Sequence, residues 1–253
     1  MTSRILGTRV DAVNYNSATQ MITSWAKAGE SRYVCVAAVH AVMEGYDFPD
    51  FQNVVNSADL IVPDGMPLVW TLRRMGVKDQ QRVYGPELTL QLLAASAEKG
   101  IPVGFLGSTP DTLELLVSNV RRRSPDLQIS YAVSPPFKEP SPEEDARTVH
   151  EINNSGASIL FVGLGCPKQE KWMAVHAGRV QAVMVGVGAA FDFIAGTKRQ
   201  APKWMRPMGL EWLFRLSQEP GRLWWRYLYH NPRFVFLVTL PMLFGQSART
   251  TRQ

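Results

Sequence analysis

Short runs of Val, Ile and Leu alternate along this chain with longer stretches of helical periodicity, and that alternation leaves few architectures open. The apolar runs fall at residues 33–39, 60–62, 103–106, 128–131, 159–162 and 183–187. They lack the polar alternation of a strand with one wet face, so they read as strands covered on both sides. Helices are expected between them at 17–28, 41–51, 86–98, 110–122, 142–153 and 167–177. Several of these begin at a proline, whose fixed φ and missing N–H suit a first helical turn. Strands and helices in this order build βαβ units around a parallel sheet. The expected fold is therefore α/β, a Rossmann-like parallel sheet flanked by helices. Residues 4–10 read as two short strands turned at Gly7-Thr8, and the proline-rich segment 134–142 reads as a loop.

The composition changes near Gly196. Residues 196–253 hold ten Lys or Arg against Glu211 and Glu219, with four of the seven Trp, whereas the preceding chain carries 17 basic and 20 acidic residues. We therefore expect an α/β core over 1–195 and a helical, basic and aromatic appendage over 196–253. Basic side chains beside Trp and Tyr, next to the apolar run 234–244, suit an anionic membrane surface. Nucleic acid would attract the charge but has no use for that run, so it is not an expected partner. The run is about half the roughly 20 residues a spanning helix needs, and Pro241 interrupts it, so a peripheral contact is expected. Apolar surface left open there would favour self-association into a homo-oligomer. Cys35 and Cys166 lie far apart, which argues against a disulfide framework and fits a reducing cytosol. The first residues lack an apolar signal-peptide core, so a cytoplasmic location is expected.

In a parallel sheet, ligands bind beyond the carboxyl ends of the strands, where the unusual residues of this chain collect. His40 follows the first strand of the sheet, Asp64 the second, Gly107 and Ser108 the third, Gln169 the fifth and Asp192 the sixth. Gly107-Ser108 suits backbone N–H groups and a helix N-terminus facing an anion, although Ser108 or Thr109 also suits a plain helix cap. Two readings stand for Asp64: a turn residue bonding its own backbone, or a general base for an acceptor hydroxyl. His40 fits either a packed imidazole or a proton acceptor beside Asp64. The four histidines are scattered, with none at zinc spacing, and there is no Asp-x-Asp, so no metal site is expected. A strict Gly-x-Gly-x-x-Gly with an acidic ribose ligand is missing, which weakens a nicotinamide or flavin reading.

Pro63-Asp-Gly-Met66, Arg82-Val-Tyr-Gly-Pro86, Phe105-Leu-Gly-Ser108, the Gly163–Glu170 and Gly186–Gly196 blocks and Gly209-Leu-Glu-Trp-Leu-Phe-Arg-Leu216 occur in this order. In that order they resemble the WecG/TagA/CpsF family of bacterial glycosyltransferases, family 26. The resemblance implies an inverting transfer, without metal or cofactor, from a UDP-sugar donor to a polyprenyl-diphosphate-linked saccharide acceptor. It places the enzyme on the inner face of the plasma membrane, in surface polysaccharide synthesis. It also implies Asp64 as catalytic base, Arg82 and Gln169 in the substrate pocket, and Phe191 and Asp192 near the nucleotide. Arg215, Arg222 and, more loosely, Arg226 would meet the diphosphate from a closing appendage. Where many members carry Thr-x-Asn, this chain has Ala38-Val39-His40, so acceptor or sugar contacts there must differ. Two other classes stay open: a nucleotide-cofactor oxidoreductase or methyltransferase on the same sheet, and a non-catalytic membrane adaptor.

Overall fold

The computed structural model describes residues 2–136, 138–243 and 250–252. The chain opens with a hairpin of β1 (Thr2–Ile5) and β2 (Thr8–Asp11). Leu6 and Gly7 both take positive φ, 51° and 85°, as a two-residue hairpin turn requires. The turn thus sits one residue earlier than the sequence suggested. A third strand, β9 (Thr250–Arg252), pairs with β1.

The main sheet contains β3 (Arg32–Ala37), β4 (Leu60–Pro63), β5 (Val103–Gly107), β6 (Ile129–Val133), β7 (Ile159–Gly163) and β8 (Val183–Gly186). All six run parallel in the order β4-β3-β8-β7-β5-β6. The α/β sheet read from the alternating pattern is present. From β5 the chain moves outward to β6, whereas from β7 it moves the other way to β8. The loops after β5 and β7 therefore part at a switch point, where such sheets open a crevice.

One face of the sheet is covered by α1 (Tyr15–Lys27), α5 (Gly85–Lys99), α6 (Pro110–Arg123) and the short α9 (Ala190–Ala195). The other carries α2 (Val39–Asp47), α3 (Pro49–Asn56), α4 (Met66–Arg74), α7 (Pro142–Ser155) and α8 (Lys168–His176). Phe105 stacks on Phe161 at 5.5 Å and meets Phe191 edge-on at 5.7 Å. Fully burying one such ring is worth about 3 kcal/mol.

Three sequence expectations need correction. Val39 opens α2 and does not close the preceding strand. The helix expected over 41–51 breaks at Phe48, because Pro49 has no N–H and disfavours a helical conformation in the residue before it. Helix α4 had no counterpart in the reading, since its start at Met66-Pro67 lacks a side-chain cap.

After Gly196 the chain forms α10 (Glu211–Gln218) and α11 (Pro220–Phe234), continued by a π-helical turn, Val235–Thr239, and α12 (Leu240–Leu243). The wide turn ends just before Leu240-Pro241, and Pro241 has no N–H with which to close an α-helical bond. Phe234 and Val238 are buried in the core layer under α2, so these helices pack on the sheet domain. Phe244, the last residue of the expected apolar run, lies outside the described residues. Among the described residues, no helix is long and apolar enough to cross a membrane.

Candidate active site

Asp64 stands at the carboxyl end of β4. Its N–H donates to the Ala37 carbonyl at the end of β3 (2.8 Å), which fixes it on the rim of the sheet. The Val83 N–H donates to the Pro63 carbonyl (2.9 Å), and this brings the neighbouring Arg82 onto Asp64. Arg82 Nε and Nη2 both donate to Asp64 Oδ1, at 3.0 and 2.7 Å, and Nε also reaches the Asp64 carbonyl. Arg82 Nη1 donates to Glu211 Oε2 at 2.8 Å. The Gly85 N–H points at Asp64 Oδ2 from 3.3 Å. The Arg82 guanidinium also lies 4.3 Å above the Tyr84 ring, with Arg206 5.7 Å from the same ring. One arginine thus holds two carboxylates, one of them from α10.

Burial dominates the electrostatics. It pushes the Asp64 carboxyl above the usual aspartate range; Arg82 pulls it down, Glu211 pushes it up, and the net shift is upward. Burial opposes the charge of Arg82 too, yet the two carboxylates outweigh it and hold its pKa above the ordinary value. Two anions and one cation in a largely desolvated site cost stability unless well paired, and such arrangements cluster at functional sites. The raised pKa makes Asp64 a stronger proton acceptor than an aspartate in water.

The other expected residues fall into distinct groups. Gly107 and Ser108 lie at the switch point, where the Ser108 N–H donates to the Gly163 carbonyl at 3.2 Å. Ser108 has a left-handed φ of 65°, a strained choice for a residue with a side chain. Thr109, not Ser108, caps α6 by accepting from the Thr112 N–H. Gly107 has φ +127°, and a Cβ there would lie 2.6 Å from the Gly163 carbonyl carbon. We expect Gly107→Ala to lose at least about 2 kcal/mol in denaturant unfolding, because strain and a backbone clash coincide. An unchanged midpoint would show that the two loops are free to separate.

Gln169 is buried beside Gly186 and Gly188, and its Oε1 accepts from the Gly165 N–H at 3.2 Å. It braces the loops after β7 and β8. A Cβ on Gly85 would lie 3.5 Å from Asp64 Oδ2 and 3.8 Å from the Val187 carbonyl, so the Asp64 and Gln169 loops share one rim. Phe191 is a core residue, its ring packed under Gly163. Asp192 pairs with Lys198 (2.9 Å), which also meets Glu219 (3.3 Å), and Glu219 holds the half-exposed Arg222 (2.8 Å). Arg215 lies 5.7 Å from the Phe193 ring.

His40 turns towards α11. It meets the His230 ring edge-on at 5.1 Å, with Glu44 Oε2 3.8 Å from its Nε2, and Arg226 acts on it electrostatically. Glu211 is the main residue that sequence reasoning missed. Its partner lies 129 residues away, and nothing local marks it. Tyr15, Tyr84 and Arg206 were missed for the same reason. With Met66, Arg82 and Glu87 they line a pocket of about 240 Å³. That is below the roughly 300–1,000 Å³ of sites that enclose a drug-sized ligand, and leaves room for no more than one moiety of a larger molecule.

A parallel sheet with a partly buried, arginine-held carboxylate at its carboxyl rim has the layout of an α/β protein with a polar site at the strand ends. Residues 3–248 match the Glycosyl transferase WecG/TagA/CpsF family. The chain is similar to the N-acetylglucosaminyldiphosphoundecaprenol N-acetyl-beta-D-mannosaminyltransferase of Bacillus spizizenii, 28% identical over 232 residues, 90% of this chain and 87% of the relative. It is likewise 28% identical to the Bacillus subtilis protein of the same name over 192 residues, 75% of this chain and 72% of the relative. The chain belongs to the WecG/TagA/CpsF family and is a glycosyltransferase. Family membership sets aside the oxidoreductase, methyltransferase and adaptor readings.

Proposed function

We propose that this enzyme moves an N-acetylmannosamine-type sugar or a hexose from a UDP-sugar to a polyprenyl-diphosphate-linked saccharide, inverting the anomeric centre. The observation that carries the reading is Asp64, partly buried and made more basic, held on the sheet rim by Arg82. The names of the two Bacillus relatives support N-acetylmannosamine as donor sugar and a GlcNAc-diphospho-lipid as acceptor. In this mechanism the acceptor hydroxyl oxygen attacks the anomeric carbon from the face opposite UDP. Its proton passes to Asp64, the bond from the anomeric carbon to the diphosphate oxygen breaks, and UDP departs with the electron pair. Cations and N–H dipoles offset the charge that develops on UDP, and they act strongly in a water-poor site. The N-termini of α6 and α8, with Arg82, Arg215, Arg222 and Arg226, are the groups assigned to that role.

Trp224, Trp225 and Leu228 are exposed on α11 and Phe236 on the turn after it, an apolar and aromatic face among basic side chains. Such a face suits anionic headgroups, so we assign it to the inner membrane surface, where the lipid acceptor resides. Incubation with a panel of UDP-sugars and a lipid-diphosphate acceptor extract, followed by product mass, tests the reaction directly. No product with any UDP-sugar would overturn the donor assignment. Arg222→Ala should lose at least about tenfold in kcat/KM, equivalent to about 1.4 kcal/mol of transition-state stabilisation. Unchanged kinetics would remove α11 from the site.

A further inference from the structure

We propose that His40, Glu44 and His230 bind one divalent transition-metal ion of the zinc class, which ties α11 to α2. None of its ligands belongs to the Asp64–Arg82–Glu211 group, and the ion takes no part in sugar transfer. The inference stands whether or not the substrates named above are correct.

His40 and Glu44 are four residues apart on α2 and share one helix face. Helix α11 crosses that face and adds His230, so one ligand atom from each residue lies within 4.8 Å of the others. Ligands held at 2.0–2.2 Å around a tetrahedral ion are about 3.3 Å apart, so closure needs shifts of no more than about 1.5 Å. Two imidazoles and a carboxylate, with water in the fourth position, are a donor set that zinc accepts.

The polar atoms are poorly satisfied without such an ion. Glu44 Oε2 is 3.8 Å from His40 Nε2, too far for a hydrogen bond. His230 is 7% exposed, and its Nδ1 has no hydrogen-bond partner among the described residues. Buried nitrogens are seldom left this way in native proteins. The two rings stand at 77° to one another, edge to face and not stacked. Arg226 opposes any added cation, and Glu44 counters it. The site therefore selects by imidazole affinity, which favours zinc, cobalt, nickel or copper over magnesium or calcium. Close by, Arg233 holds both Asp47 oxygens at 2.6 and 2.7 Å, so the joint between α2 and α11 is already formed and the ion would lock it.

The test uses the full chain stripped with a chelator and titrated separately with Co²⁺ and Zn²⁺. We expect one equivalent bound, a visible cobalt spectrum of four-coordinate type, and a higher Tm with metal. Glu44→Gln and His230→Gln should each weaken binding at least about tenfold. His150→Gln, at an exposed position on α7, should leave it unchanged. Melting curves of the metal-free variants separate lost binding from lost fold, and His40→Asn replaces any variant that fails to fold. No stoichiometric uptake by the parent chain, or undiminished binding in both His230→Gln and His40→Asn, overturns the proposal.

Discussion

Asp64→Asn should lower turnover by about 10²–10⁴-fold, the range for removing a positioned general base. The asparagine keeps the shape of the side chain and can still accept from Arg82 through its Oδ1, so nucleotide-sugar binding should persist. Stability should change little, because loss of the Oδ2 acceptor for the Gly85 N–H is offset by removal of a charge that burial disfavours. The folded pKa of Asp64 is raised, so its contribution is fully present below the unfolded value near 3.9 and is lost as pH rises through the folded value. At neutral pH the ionised carboxylate therefore costs stability, and a neutral isostere removes that cost. Arg82 keeps its contact with Glu211 in the variant. The same shift predicts that the acid limb of kcat/KM lies above the usual aspartate range. Transfer assays across pH, paired with thermal melts, check all three outcomes. Near-parental turnover in Asp64→Asn would refute the base assignment.

Arg82→Ala should produce the largest loss of stability, about 3 kcal/mol, because it strands two carboxylates at once, Glu211 buried and Asp64 partly buried. For a domain of this size that corresponds to a fall in Tm of roughly 10 °C. The deficit has a definite pH dependence. Asp64, whose folded pKa is already raised by burial, loses the downward pull of Arg82, so the loss is full at neutral pH and shrinks as acid protonates that carboxyl. Adding Glu211→Gln to Arg82→Ala should recover part of the loss, because one of the two stranded charges disappears. Arg82→Lys keeps a charge but cannot bridge Asp64 and Glu211 with one planar fork, so it should fall in between. Denaturant unfolding at several pH values measures each step. Parental stability of Arg82→Ala at neutral pH would mean that the pairing contributes nothing.

Much of the fold was legible because its signals are local. The runs at 103–106 and 159–162 became strands extended by one residue, Val103–Gly107 and Ile159–Gly163. The stretch at 110–122 became a helix over Pro110–Arg123. The failures were local as well: Pro49 broke a continuous helical pattern, and Met66–Arg74 carried no cap to announce it. Asp64 was legible as a candidate because strand ends can be counted along a chain. Its contact with Arg82 was only implied by family resemblance until the fold supplied the distances.

Residue order and chemistry alone settled the strand and helix layers, the position of Asp64 on a strand end and the concentration of positive charge after Gly196. These follow from spacings of two to four residues, which fix which side of an element faces water. Packing of distant elements decided the rest. It brought Glu211 onto Arg82, buried Phe191 beneath Gly163, and joined His40 to His230 from near opposite ends of the chain. Such contacts depend on strand order and helix crossing, and no short window of sequence contains both partners.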